Sequence, residues 1–326
     1  MAKSKNPSGA YQSVGILGAG AWGLALAIVA AKAGRRVSVW TRNKPAVTRV
    51  LSSGELPDAI ALTTDRAAIA EADAILVAAP AQHTRKVLSG FNPAPGSPLV
   101  LCAKGIERGS GKLMTEVLAD TIPDAEPAIL SGPSFARDVV QGLPTAVTIA
   151  ARASVAQRLQ ATLGHASFRP YASEDIIGVA LGGAAKNVYA IACGIVIGLG
   201  LGESARAALI ARSFAELSRF ARALGARDET LTGLSGLGDL VLTATSPTSR
   251  NFSFGLGLGR GEPLAELATP GGDLAEGVET APALVWRAGR AGVELPIAQT
   301  VVDILAGDIA PSHAAPRLMA RPLKME

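Results

Sequence analysis

The sequence predicts an α/β domain with a mostly parallel sheet, followed by an all-helical C-terminal domain. Three observations predict it. Short apolar, β-rich runs alternate with helical patterns through the first half, this rhythm ends at about residue 173, and long helical periodicities follow. The runs at 14–17, 36–40, 74–79, 99–103, 128–131 and 145–150 are the expected strands. Ala-Ile-Leu-Val-Ala-Ala at 74–79 is apolar without alternation, which suits a strand covered by helices on both faces. Beyond residue 173, the stretch 176–202 carries Lys186 as its only charge. An amphipathic helix is expected over 204–224, with Ile210, Phe214, Leu217, Phe220, Ala221 and Leu224 on its apolar face and Gly225 as its stop. The expected organisation is a polar, disordered leader at 1–12, a first domain at 13–173 and a helical domain at 174–326.

Composition narrows the function. With 326 residues and 48% hydrophobic content, the chain can bury the cores of about two domains. Its 36 glycines follow no collagen-like period, so they read as local devices. The net charge of +4 and the lack of a Lys/Arg run interleaved with aromatics predict no nucleic-acid partner. Cys102 and Cys193 lie far apart in apolar surroundings, offering neither a disulfide framework nor a metal site, and a reducing cytoplasm fits them. The stretch 176–202 is long enough to cross a bilayer. Its glycines and central lysine instead favour a buried helix, and no membrane span is expected.

The first chemical motif is Gly18-Ala-Gly20-Ala21-Trp22-Gly23, set between an apolar strand and a helical run. The first glycine permits the tight turn, the second lets backbone approach a pyrophosphate, and the third allows close helix packing. Strand before and helix after make this a Rossmann-type dinucleotide site. At the end of the second strand the chain reads Trp40-Thr41-Arg42-Asn43. No carboxylate stands there to bind a ribose 2′-hydroxyl, and Arg42 can pair with a 2′-phosphate, so NADP(H) is favoured and NAD(H) stays open.

Three motifs lie further on. Lys186, in Gly182-Gly-Ala-Ala-Lys186-Asn187, would lose solvation unless a carboxylate, ligand or water met it. Asp239, alone in the apolar glycine-rich stretch 232–243, is a candidate partner. Ser249-Arg250-Asn251 offers a hydroxyl, a guanidinium and an amide suited to a phosphate. Gly109-Ser-Gly111-Lys112-Leu113 is set aside as a triphosphate loop, because Ile106 replaces its first glycine and Leu113 its metal-binding hydroxyl. His83, His165 and His313 are scattered and no G-x-S-x-G elbow occurs, which argues against a hydrolase. A nicotinamide cofactor, a sequestered lysine and a phosphate clamp together specify hydride transfer on a small phosphorylated compound.

In order and spacing, Gly18 to Gly23, Lys104-Gly-Ile-Glu, Ser131-Gly132-Pro-Ser134-Phe-Ala136, Gly182 to Asn187, Gly236-Leu-Gly-Asp239-Leu, Ser249 to Asn251 and Ala275-Glu276-Gly277-Val278 resemble the bacterial NAD(P)-dependent glycerol-3-phosphate dehydrogenases. The resemblance implies interconversion of dihydroxyacetone phosphate and sn-glycerol 3-phosphate for phospholipid synthesis, in a cytoplasmic homodimer. Position by position, it makes Lys186 the general acid or base, with Asp239, Lys104, Asn187 and Thr243 in support. Substrate contacts fall to Lys104, Gly132, Ser134, Lys186, Asp239, Ser249, Arg250 and Asn251. Cofactor contacts fall to Gly18, Gly20, Ala21, Trp22, Gly23, Arg42, Asn43, Lys104, Ala136, Arg250, Leu274 and Glu276. Two alternatives are weighed: another two-domain hydroxy-acid or opine-type dehydrogenase, and a catalytically silent dinucleotide-binding regulator. Lys186 and the Ser249-Arg250-Asn251 clamp argue against both.

Overall fold

The computed structural model describes residues 9–43, 57–267 and 275–320. The chain divides into two compact units, Met1–Ala103 with Leu113–Ala180, and Lys104–Lys112 with Leu181–Glu326. The second unit therefore begins inside a helix, later than residue 174. It also takes in Lys104–Lys112, a segment that the sequence reading left in the first domain. The expected leader is also shortened. Ala10 and Tyr11 are buried, the Tyr11 amide donates to Thr162 Oγ1 at 2.9 Å, and the Arg158 guanidinium lies 4.0 Å from the Tyr11 ring centroid. An aromatic body this close to the first strand gains more by packing than by solvation.

In the first unit, eight strands among the described residues form one sheet: β1 Ser13–Leu17, β2 Arg36–Trp40, β3 Ile60–Thr63, β4 Ala74–Val77, β5 Pro98–Leu101, β6 Glu126–Ser131, β7 Thr145–Ala150 and β8 Phe168–Ser173. Their order is β3-β2-β1-β4-β5-β6-β7-β8, and every pairing is parallel except β6 with β7. All residues of β4 and β5 are buried, as their unbroken apolar runs require. The sequence reading missed β3 and β8. Both are edge strands, short or interrupted by polar residues, and β8 contains Pro170, which an edge tolerates. Among the described residues, the helices of this unit are α1 Ala21–Lys32, α2 Ala67–Ala70, α3 Ala81–Leu88, α4 Met114–Thr121, α5 Ala136–Val140 and α6 Ala153–Leu163. Helix α1 is buried along Gly23 to Ala30 and packs into the core formed with β1, β2, β4 and α6.

Helix α7, Ile176–Gly198, carries the chain into the second unit. It is long and apolar enough to cross a membrane, but 89% of its most apolar stretch is buried within the protein. The other helices are α8 Gly202–Ala223, α9 Asp228–Thr232, α10 Asp239–Thr245, α11 Arg250–Gly259, α12 Leu264–Leu267, α13 Glu276–Arg290, α14 Pro296–Ala306 and α15 Ala314–Met319, with a π-helical turn at Leu234–Gly238 before α10. On α8 the expected face is deeply buried at Leu217, Phe220 and Ala221, and Glu216 is buried beside them. Its carboxylate accepts from Ile297 N at 2.8 Å and Ala298 N at 3.5 Å, so it caps α14. Burial pushes that carboxyl up to about 7.

Helices α7 and α11 touch backbone to backbone. A Cβ at Gly194 would overlap the Phe252 carbonyl oxygen, one at Gly198 that of Leu256, one at Gly255 that of Ile191, and one at Gly259 that of Ile195. Gly289, near the exposed end of α13, meets nothing within 4 Å. Gly255→Ala should therefore lower Tm, because overpacking costs about 1–3 kcal/mol against a helix-propensity gain of at most ~1 kcal/mol. Gly289→Ala should hold or raise Tm. Thermal unfolding of the two variants checks the opposite signs, and equal shifts would refute the close contact.

Candidate active site

Strand register assembles the first group of predicted residues. Leu17 pairs with Trp40, so the loops leaving β1 and β2 emerge side by side, and Gly18 N donates to Trp40 O at 3.2 Å. Chain order along the sheet reverses between β1 and β4, the switch point where α/β sheets bind ligands. Gly18 has φ +118°, and a Cβ there would press on the Ala78 carbonyl. Gly23 lies against the Gly18 carbonyl with no room for a side chain. Gly20 is different, because its Cβ position is open. Packing does not demand glycine there, which leaves space for a close backbone approach. Gly20 is also the N-cap of α1, and no side chain caps that helix. Its first amides can therefore receive an anion. The residues present fit a dinucleotide. Arg42 and Asn43 are exposed just after β2, where Asn43 N donates to Thr41 Oγ1 at 3.2 Å. Trp22 Nε1 is buried with no hydrogen-bond partner among the described residues.

Beyond β6, Gly132 adopts φ +142°, with Val147 too close for a Cβ, and Ser134 Oγ donates to Gly132 O at 3.0 Å. Ala136 opens α5. These residues belong to the first unit together with the glycine loop. Leu274 lies outside the described residues.

The second unit gathers the charged group. Lys186 Nζ donates to Asp239 Oδ1 at 2.5 Å and to Thr243 Oγ1 at 2.9 Å, and Lys104 Nζ donates to Asp239 Oδ2 at 2.8 Å. Asp239 has no exposed surface and Lys186 is 7% exposed. The expected Lys186–Asp239 pair is present, with a second lysine on the other carboxylate oxygen. Glycines make the approach. A Cβ at Gly182, one helical turn before Lys186, would overlap the Ser235 carbonyl oxygen, so the π-helical turn lies directly on α7 and starts α10 with Asp239 beside Lys186. Thr243, one turn further along α10, bonds back to Asp239 O at 2.6 Å, which orients its hydroxyl.

Desolvation is the main influence on Lys186 and lowers its pKa; Asp239 opposes this, Lys104 reinforces it, and the result is about 8. An ammonium that titrates near neutrality can donate or accept a proton within the working pH range.

Side-chain amides join this group to α11 and α13. Asn187 Nδ2 donates to Lys104 O at 2.8 Å, Asn251 Nδ2 donates to Asn187 Oδ1 at 2.9 Å, and Gly277 N donates to Asn251 Oδ1 at 2.9 Å. The role of Asn251 is thus first internal, because both ends of its amide are engaged by the protein. Ser249 is buried as the N-cap of α11, accepting from Phe252 N at 3.2 Å. Arg250 is exposed in the first turn of α11, and Glu276 is half-buried in the first turn of α13. Sequence reasoning did not anticipate the glycine contacts or the buried Glu216. A signal for Glu216 existed, since an acid flanks the apolar face of α8.

Residues 13–157 match the family model of the NAD-dependent glycerol-3-phosphate dehydrogenase N-terminus, and residues 175–316 match that of its C-terminus. The chain belongs to this family. It is 55% identical over 327 residues to a glycerol-3-phosphate dehydrogenase (NAD(P)+) of Bradyrhizobium sp. strain ORS 278, covering 97% of this chain and 98% of that one. It is 54% identical to the Maricaulis maris protein of the same name, covering 97% and 98%. The glycerol-3-phosphate dehydrogenase crystal structure from Coxiella burnetii superposes with a TM-score of 0.88 at 36% identity, covering 96% of this chain and all of that one. In this family member the Rossmann-type sheet and the helical second unit therefore have a solved counterpart.

Asp239→Asn would leave two sequestered ammonium groups without their carboxylate. That substitution should cost about 3–5 kcal/mol at pH 7. Because a lysine whose folded pKa is depressed pays its full charging penalty below that pKa and none above its unfolded value near 10.4, the deficit should shrink between pH 7 and pH 9. Urea unfolding at the two pH values checks this, and a deficit independent of pH would contradict it.

Proposed function

We propose that this chain interconverts dihydroxyacetone phosphate and sn-glycerol 3-phosphate with NAD(P)H. The observation that carries the reading is the buried Lys186–Asp239–Lys104 group with Thr243, in a member of this dehydrogenase family. The bound nicotinamide supplies or accepts the hydride. Lys186 gives its proton to the ketone oxygen in reduction and takes it back in oxidation. Asp239 keeps that ammonium aimed, and Thr243 fixes its second hydrogen bond. Lys104 places a further positive charge beside the same carboxylate, where it supports an oxyanion as charge develops on the substrate. Arg250, exposed at the start of α11, is assigned to the phosphate, with Ser249 and Asn251 setting the helix end that presents it.

Gly18, Gly20, Ala21, Trp22, Gly23, Arg42 and Asn43 are assigned to the cofactor, supported by the open position at Gly20 and the uncapped start of α1. Cytoplasmic location, a role in phospholipid synthesis and a homodimer complete the proposal, supported by the family resemblance. Light scattering of the purified protein tests the dimer.

Wild-type protein should consume NADPH or NADH when given dihydroxyacetone phosphate, and Lys186→Ala should reduce kcat by roughly 10²- to 10⁴-fold with little change in cofactor affinity. Near-normal turnover would remove Lys186 from the chemistry.

Arg250→Ala should lower kcat/KM for dihydroxyacetone phosphate by about tenfold or more, since a guanidinium–phosphate contact contributes about 1.5–3 kcal/mol. Reduction of unphosphorylated dihydroxyacetone should fall far less. Equal losses on both ketones would place Arg250 on the cofactor or the fold.

A further inference from the structure

The segment Lys104–Lys112 belongs to the helical unit although it lies between strands of the other, and two different anchors hold it there. At its start the Lys104 carbonyl accepts from Asn187, and the Lys104 ammonium reaches Asp239. At its end the chain closes into a turn, with Gly111 N donating to Glu107 O and Glu107 N donating to Lys112 O, both at 2.9 Å. This is the stretch whose glycines and lysine imitate a phosphate loop. Its glycines serve another purpose. Gly111 adopts φ +66°, and a Cβ there would overlap two ring carbons of Trp286 on α13, so the Cε3–Cζ3 edge of the indole is packed tightly on the glycine. Arg287, the next residue on α13, donates from Nη1 to Gly111 O at 2.8 Å. Arg108 pairs with Glu279 at 2.9 Å, but Arg108 is 70% exposed and such a pair adds little.

Trp286 is 49% exposed, with the Arg290 guanidinium 5.1 Å from its ring centroid. It therefore contributes less to a core than a buried Trp would, while covering the Gly111 end of the strap whose other end carries Lys104. We propose that Trp286 is a positioning residue: its ring, seated on Gly111, fixes the Lys104–Lys112 strap and so keeps the Lys104 ammonium on Asp239. Lysine side chains lose much rotamer freedom when held, so Lys104 keeps its place only if the backbone beneath it is fixed.

The consequence reaches Lys186 through charge. Among the described residues, the charged groups facing Lys186 are Asp239 from α10 and Lys104 from the strap. When Lys104 leaves Asp239, Lys186 loses a like charge and has the carboxylate to itself. Its ammonium is then held more tightly.

The inference rests on the proposed ketone reduction, which needs Lys186 protonated, so kcat/KM should fall as pH rises through about 8 in the wild type. The test compares wild type, Trp286→Ala and Trp286→Phe as full-length proteins. Trp286→Ala should lower kcat/KM for dihydroxyacetone phosphate by about tenfold. It should also move the alkaline limb to higher pH by roughly half a unit or more. Trp286→Phe, which keeps an aromatic ring at the position, should recover most of both. Hydrogen–deuterium exchange at the Glu107 and Gly111 amides should rise in Trp286→Ala, and this readout needs no activity. Unchanged exchange overturns the proposal. Faster exchange with an unmoved limb overturns its link to Lys186. Inactive wild-type protein would instead overturn the reaction assignment, and the exchange measurement alone would then decide the strap. If Trp286→Ala does not fold, Trp286→Leu is judged by the same criteria.

Discussion

One carboxylate shared by two lysines sets the terms for the helical unit. Asp239 has no exposed surface, and each of its oxygens accepts from an ammonium group, Lys186 at 2.5 Å and Lys104 at 2.8 Å. Such a group is costly to desolvate and is maintained only where geometry leaves no alternative. Burial is what lowers the proton affinity of Lys186, against the pull of Asp239 and with Lys104 adding to it. The desolvation that makes the cluster expensive is the same one that brings Lys186 down to about 8.

Geometry of that quality comes from α7 acting as an axis approached by backbone on several sides. Gly182 admits the π-helical turn that starts α10, while Gly194 and Gly198 admit α11. A Cβ at Gly277 would press on the Asn187 carbonyl, so α13 also begins against this helix. Each approach brings in a helix end that carries candidate site residues: Asp239 at the start of α10, Ser249 to Asn251 at the start of α11, and Glu276 at the start of α13. The glycines and the lysine of α7 thus serve one purpose. Close helix packing and the placement of charge are the same design, and enlarging one of these glycines disturbs both.

What the sequence made legible follows from how local each signal is. The Gly18-Gly20-Gly23 loop was readable because strand, turn and helix are contiguous, and strand register then places Arg42 beside it. Lys186 was readable because a lone charge in an apolar run must find a partner, and Asp239 was the acid in a similarly apolar stretch. Edge strands β3 and β8 were missed because half-exposed strands lack the continuous apolar run that marks buried ones. The Asn187–Asn251–Gly277 amide chain could not be read at all, since its bonds join residues 64 and 26 positions apart and an amide carries no charge to betray a partner.

The segment around Gly111 shows how the same residues carry different meanings at different scales. As a string, Gly109-Ser-Gly111-Lys112 suggests a phosphate cradle; in the fold, Gly109 and Gly111 supply the positive φ values of a tight turn, and Gly111 leaves room for the edge of an indole. Glycine at a functional loop answers either a ligand or a neighbouring side chain, and what a Cβ would meet separates the two. At Gly20 it would meet open space, and at Gly111 it would meet Trp286. The first position leaves room for a close backbone approach, and the second is filled by the protein's own side chain, so glycine answers open space in one unit and a packed indole in the other.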